Sequence, residues 1–255
     1  MKKARLEFLG TGTSQGVPMI GCDCEVCRSS DPRDKRLRAS VFVEYEGLKI
    51  LVDAGPDFRQ QMLRAGVSHV DAILLTHNHK DHTGGLDDIR AFNYLEKAAT
   101  QIYCEKYVED SLRKEYSYAF AENKYPGAPD WDVHIIDEKP FSIDGVEIVP
   151  IRGKHFNLPV LGYRFGDIAY CTDMNRVPEE EFAKLEGLEH FVINCVRRGR
   201  HISHFSLEGA LAVAGKVGAR HTWLTHLSHQ LPRHEELLAE LPKGVQPAYD
   251  GLTIG

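Results

Sequence analysis

Thirteen consecutive residues, 73–85, read ILLTHNHKDHTGG and constrain this chain more than any other stretch. The apolar run 72–75 has the composition of a buried strand, and it stops at Thr76, where His77, His79, Asp81 and His82 crowd into six positions. Imidazole nitrogens and a carboxylate oxygen are ligands suited to zinc, manganese or iron, and a strand end followed by a short loop can aim them at one point. His77 and His79, two apart, project to the same side of an extended segment, while Asp81 and His82 lie on the turn that follows. One loop can therefore serve two metals. The plainer reading is a solvated loop that is histidine-rich by chance, which fits poorly with H-x-H-x-D-H set between a hydrophobic strand and Gly84-Gly85.

At 255 residues, 42% hydrophobic and 27% charged, the chain can bury a sizeable core, and one α/β domain over 1–255 is expected. The formal charge of −6 argues against a protein that grips a long nucleic acid through its phosphates. No apolar run approaches the ~20 residues of a membrane span, and the start MKKARLEFLG lacks the apolar core of a signal peptide, so a cytoplasmic protein with no membrane partner is expected. Of the six cysteines, Cys22, Cys24 and Cys27 fall within six residues, which suits metal binding in a reducing compartment better than a paired disulfide framework. Three close thiolates repel one another unless a soft cation neutralises them. A structural zinc site in an insert at about 20–30 is the expectation, with its fourth ligand elsewhere.

Along the chain, 6–9 reads as a first strand running into GTGTSQGVP, which serves as a turn or cradles an anion, and DPRDKRLR (31–38) reads most simply as a solvated connection, or as a basic stretch facing an anionic substrate. Segments 39–45 and 48–53 form a hairpin ending at Asp53, and 56–65 a helix stopped by Gly66. A helix over 83–97, a strand at 101–104, a helix near 106–120 and a surface loop AENKYPGAPDW follow; the tyrosine and tryptophan of that loop either line a pocket or pack locally. Strands are expected near 133–136 and 146–151, with His155 just past the latter, then at 159–165 and at 168–172, which ends in Asp173. Strand 191–194 leads to VRRGRHISHFS. A helix over 206–217 capped by Ser206, strand 221–224 delivering THLSH, a helix at 234–240 and a strand pair around 248–254 complete the chain.

T-H-x-H-x-D-H after a strand, with an earlier strand ending in LVDAG, resembles the metallo-β-lactamase superfamily of hydrolases, and the resemblance runs over most of the chain. It implies an α/β four-layer αββα sandwich. It also implies a dinuclear site: His77, His79 and His155 on one divalent ion, Asp81, His82 and His226 on the other, Asp173 bridging, and Asp53 steadying the histidine loop. Zinc or manganese, with iron as a further candidate, would fill it. Within the superfamily, the C-x-C-x-x-C insert resembles the phosphoribosyl 1,2-cyclic phosphate phosphodiesterases and their relatives, in which a histidine three residues beyond the last catalytic ligand closes a structural zinc site. Here that is His229 with Cys22, Cys24 and Cys27.

The resemblance implies a phosphodiesterase acting on a small, cyclic phosphate ester through a metal-bridging hydroxide. Asp81 and His204 are then the catalytic residues, with His204 as general acid, His201 as its rival, and Arg197, Arg198 and Arg200 as candidate phosphate binders. Many relatives pair, so a homodimer is compatible. His69, His134, His190, His221 and His234 have no constellation around them. The alternatives are a hydrolase similar to the pyrroloquinoline quinone biosynthesis protein and a non-catalytic metal-binding scaffold.

Overall fold

Alternation of apolar residues decides which face each strand turns inward, and in this chain both faces are covered. In the computed structural model, which describes residues 2–255, the elements run β1 (Ala4–Gly10), α1 (Glu25–Arg28), β2 (Ser40–Tyr45), β3 (Leu48–Val52), α2 (Phe58–Ala65), β4 (Ala72–Leu74), α3 (Lys80–Thr83), α4 (Arg90–Glu96), β5 (Thr100–Cys104), α5 (Lys106–Glu115) and β6 (Trp131–Ile135). Then come β7 (Phe141–Ile143), β8 (Val146–His155), β9 (Leu158–Phe165), β10 (Ile168–Cys171), β11 (His190–Asn194), α6 (Leu207–Val217), β12 (His221–Thr225), α7 (His234–Glu240), β13 (Val245–Pro247) and β14 (Thr253–Ile254). They make two seven-stranded mixed sheets, ordered β14-β1-β2-β3-β4-β5-β6 and β13-β12-β11-β10-β9-β8-β7.

The period of two is visible in the cores. Ile50, Val52 and Leu74 face the second sheet and pack with Leu161, Tyr163 and Tyr170, while Leu51, Ile73 and Leu75 point the other way onto Phe58 and Met62 of α2, Phe92 of α4 and Val108 and Leu112 of α5. On the outer face of the second sheet, Ala169, Cys171, Phe191, Ile193 and Leu224 pack beneath α6 and α7 through Ala210 and Leu237. Three apolar layers between four layers of structure are the αββα sandwich expected from the sequence. A fully buried Leu, Ile or Phe contributes about 1.5–3 kcal/mol, so the interleaving of these layers dominates the stability.

Strand direction positions the site. β3 to β6 run parallel, as do β10 to β13, and β8 points the same way as β10 because both are antiparallel to β9. The C-terminal ends of β3, β4, β8, β10 and β12 therefore carry Asp53, His77, His155, Asp173 and His226 to one rim. No helix among the described residues is long and apolar enough to cross a membrane.

Several local expectations need correction. The stretch 83–97 is not one helix: α3 ends at Thr83, a 3-10 turn spans Leu86–Ile89, and α4 follows. The helix near 106–120 stops at Glu115 and continues as a 3-10 turn. His155 is the last residue of β8 rather than a residue past it. The two C-terminal strands do not pair with each other, since β13 adds to β12 and β14 to β1. The basic connection is not solvated throughout: Arg36 is buried and donates to Thr11 Oγ1 and the Ala248 carbonyl, and Asp34 is buried and accepts from the His234 amide. Trp131 packs against Tyr116 and Phe120, so of the two outcomes open to that loop its tryptophan takes the local one.

Candidate metal centre

The histidine loop is held from below by Asp53, a fully buried carboxylate that accepts from the Thr76 amide and hydroxyl, both at 2.9 Å, and from His82 Nδ1 at 2.6 Å. These bonds set the histidine tautomers. Because Nδ1 of His82 donates to Asp53, Nε2 is the nitrogen turned to the donor cluster; because the Thr76 hydroxyl is spent on Asp53, it accepts from His77 Nδ1 at 2.9 Å, and His77 Nε2 is left with its lone pair. Two glycines allow the loop to lie this close. A Cβ on Gly55 would sit 2.0 Å from the Asp81 carbonyl oxygen, and one on Gly85 2.0 Å from that of Gly55.

Two donor groups converge above this support, His77 with His79 and His155, and Asp81 with His82, Asp173 and His226, and within each the ligand atoms lie within 4.8 Å of one another. Oδ2 of Asp173 stands 3.1 Å from both His82 Nε2 and His226 Nδ1, inside the second group, and the same carboxylate also clusters with His155 of the first group and His204. Those approaches lack hydrogen-bond angles. Nε2 of His77 and His82 and Nδ1 of His155 and His226 are all buried with no hydrogen-bond partner among the described residues, the Asp81 and Asp173 oxygens near His82 and His226 standing at ion-pair distance only. An orphaned buried nitrogen costs about 1–3 kcal/mol, so four of them facing one spot mark a place for a cation.

Electrostatics agree. Burial would push the His82 imidazolium down in pKa, yet Asp173, Asp81 and Asp53 hold it well above the ordinary value, so the pocket demands positive charge. Burial would likewise raise Asp173, but His226 and His82 keep it well below the usual carboxylate range. Burial lowers His77 and His79 and pulls His155 down to about 4, which leaves three neutral imidazoles with lone pairs to offer at neutral pH. The residues present therefore fit divalent metal. Backbone strain gathers here too: Asp53, Asp173 and His226 have φ of 64°, 56° and 54°, a left-handed conformation that costs a residue with a Cβ about 1–3 kcal/mol and persists only where its surroundings impose it.

His204 lies at the rim with Nε2 3.0 Å from Asp173 Oδ1, and its ring centroid is 4.5 Å from that of His155. His201 stands behind it, Nδ1 to Nδ1 at 3.1 Å, and Ser203 Oγ is 3.1 Å from His204 Nδ1. Of the two rivals, His204 is the one in the cluster.

The second cluster joins Cys22, Cys24, Cys27 and His229, again with donor atoms within 4.8 Å of one another. His229 Nδ1 is 3.3 Å from Cys22 Sγ and 3.5 Å from Cys24 Sγ, and no cysteine is in a disulfide. Burial raises Cys24, but the Cys27 amide and His229 outweigh it and bring the thiol down to about 6, an available thiolate; burial raises Cys27 to about 11. Three sulfurs and one imidazole suit tetrahedral zinc. Thr76, the first residue of the T-H-x-H-x-D-H motif, fixes the His77 tautomer, and a residue with no sequence signal is Asn175, which joins the loop carrying Phe156 to that carrying Ile202.

Residues 49–227 match the family model of the β-lactamase superfamily domain. A diphosphatase from the PhnP family superposes with a TM-score of 0.92 at 40% identity, covering 98% of this chain and 96% of that one. An octanoyltransferase of Porphyromonas gingivalis is 43% identical over 97% of this chain, but the chain spans about half (51%) of that protein's length. Zinc-bound PqqB from Methylobacterium extorquens superposes with a TM-score of 0.78 at 19% identity over 98% of this chain and 99% of that one, a likeness of fold alone. The rim of strand ends, the donor groups that meet there and the matched family model converge on one conclusion: the chain belongs to the metallo-β-lactamase superfamily of hydrolases.

Proposed function

We propose that the protein is a dinuclear metal-dependent phosphodiesterase, one domain over 1–255 with a zinc-binding insert at about 20–30, acting in the cytoplasm on a small phosphate ester. His77, His79 and His155 would hold one ion, Asp81, His82 and His226 the other, and Asp173 would touch both. Cys22, Cys24, Cys27 and His229 would hold a structural zinc. The observation that carries this reading is the set of four buried imidazole nitrogens without a hydrogen-bond partner, set within two donor groups of which Asp81 and Asp173 complete the second. When bound, the catalytic ions supply Lewis acidity toward phosphoryl oxygens and an activated water.

This chain's own residues do the rest. Asp53 and Thr76 keep the imidazoles in the ligating tautomer, and burial of the cluster keeps bulk water from screening it. His204, with Asp173 on one ring nitrogen and Ser203 and His201 at the other, is placed to carry a proton and deliver it from Nε2 to a departing alkoxide. Arg197 and Arg200 line a cavity of about 670 Å³ beside the site and have no carboxylate partner among the described residues, which suits them to a phosphate, whereas Arg198 is engaged by Glu240.

The 40%-identical diphosphatase supports phosphorus chemistry over a PqqB-like activity. Octanoyl transfer is named for a chain twice this length, and the thiols of Cys104 and Cys195, pushed up to about 12 by burial, are poor acyl acceptors. Elemental analysis of the purified protein should give three ions per chain. His204→Ala should lower kcat on a manganese- or zinc-loaded assay with an aryl phosphodiester roughly 100-fold, with metal content unchanged. No turnover of any phosphodiester by the loaded wild type would remove this reading.

A further inference from the structure

Two large apolar side chains stand in solvent at the mouth of the metal centre, where burial would be their default. Phe156 follows His155 directly and is 54% exposed, and Ile202 lies two residues before His204 and is 67% exposed. They are shared walls of two adjoining clefts, one of about 730 Å³ that contains His79 and His155, the other containing Arg197, Arg200 and His201. Neither position is slack. Phe156 has φ of 56°, a left-handed backbone that a bulky aromatic rarely adopts, and its amide donates to Asn175 Oδ1 at 3.2 Å. The other end of the same carboxamide, Asn175 Nδ2, donates to the Ile202 carbonyl at 2.7 Å, and the Asn175 amide is bonded to Lys154 of β8. One residue, two beyond Asp173, thus ties the backbone at both apolar residues to the rim.

We propose that Phe156 and Ile202, held by Asn175, form a clamp that selects substrates by a flat aromatic group attached to the reacting phosphorus. The proposal rests on the phosphodiesterase reading for its chemistry and names the substrate class of that site. An aryl ring stacked on Phe156 and covered by Ile202 removes exposed apolar surface that a bare cleft would leave in water, and the strained turn at Phe156 presents the ring without rearrangement on binding. Asn78 and Asn157 line the same cleft, and their carboxamides suit a ring that carries hydrogen-bonding edges, as a nucleobase does.

The test compares pairs of ligands that differ only in the group beside phosphorus. On metal-loaded wild type, kcat/KM for bis(4-nitrophenyl) phosphate should exceed that for methyl 4-nitrophenyl phosphate by roughly tenfold through KM, and calorimetry should give phenylphosphonate a similar advantage in Kd over methylphosphonate. In Phe156→Ala and in Ile202→Ala the aryl-to-methyl ratio should fall toward one in both measurements, with metal content at the wild-type level. If phosphodiesters are turned over but the ratio is near one in wild type, or survives both substitutions, the clamp is overturned. If no phosphodiester is turned over while phenylphosphonate keeps an advantage that the substitutions erase, the clamp stands and the hydrolytic reading fails.

Discussion

The two donor clusters are built in opposite ways. The cysteine cluster draws three of its four donors from six consecutive residues, in a short insert whose apolar contacts are little more than Val17, Val26 and Cys27, and it is part-exposed. The histidine–aspartate cluster gathers donors from four strand ends across two sheets, has five of its seven donors buried with His79 exposed and Asp81 part-buried, and stands on a further buried carboxylate. On the proposed reading, the first is a framework that an ion would have to organise, the second a framework that two sheet cores impose of themselves. One segment serves both, since His226 and His229 lie three residues apart after β12. The difference teaches that removing the ion should hurt the insert's folding most, while removing a donor should hurt the sheet cluster's chemistry most.

The severest break is Asp173→Ala, which takes away the carboxylate central to the sheet cluster. Turnover should fall at least 1000-fold, an order-of-magnitude expectation for loss of a shared metal ligand, while far-ultraviolet circular dichroism keeps its native shape. Asp53→Ala touches no donor yet leaves His82 Nδ1 and the Thr76 hydroxyl without their buried acceptor. A metal titration should show affinity lower by roughly 10- to 100-fold, and retention of wild-type affinity would contradict the preset framework.

Cys24→Ser should remove one zinc per chain and lower the thermal midpoint. Activity should drop only several-fold, through the tether from His229 to His226; an intact midpoint would show that the insert folds without its ion.

The mildest effect concerns pH at the joint beneath the insert. Burial, with Arg36 and Arg33, lowers His234 to about 4, below the ordinary 6.5 of the unfolded chain. The native state then binds fewer protons than the unfolded one between those values, so stability is full above about pH 6.5 and declines as pH falls toward 4. Denaturant melts at pH 7 and 4.5 should show that slope, flattened in His234→Asn.

Legibility followed sequence separation. His77, His79, Asp81 and His82 are legible directly because the chain itself brings them together, and the strand before them is legible as a short continuous apolar run. His155, Asp173 and His226 are single residues whose meeting depends on strand order, and only the family resemblance linked them. Nothing local distinguishes Phe156 or Ile202 from core residues, since whether an apolar side chain is buried is decided by what the rest of the molecule lays over it. The buried Arg36 misled for the same reason: a run of charges reads as solvated until segments 200 residues away, such as Ala248, close over it. The short strands β13 and β14, too brief to show a period, take their partners from whichever sheet edge is at hand.

The contact of Gly55 with Asp81, and of Gly85 with Gly55, sets where this molecule can be redesigned. Any methyl group there would wedge two loops apart beneath the donor cluster, so those positions admit no drift and no engineering. The rim a few residues away faces open water, and a library confined to it could retune selectivity without disturbing the foundation.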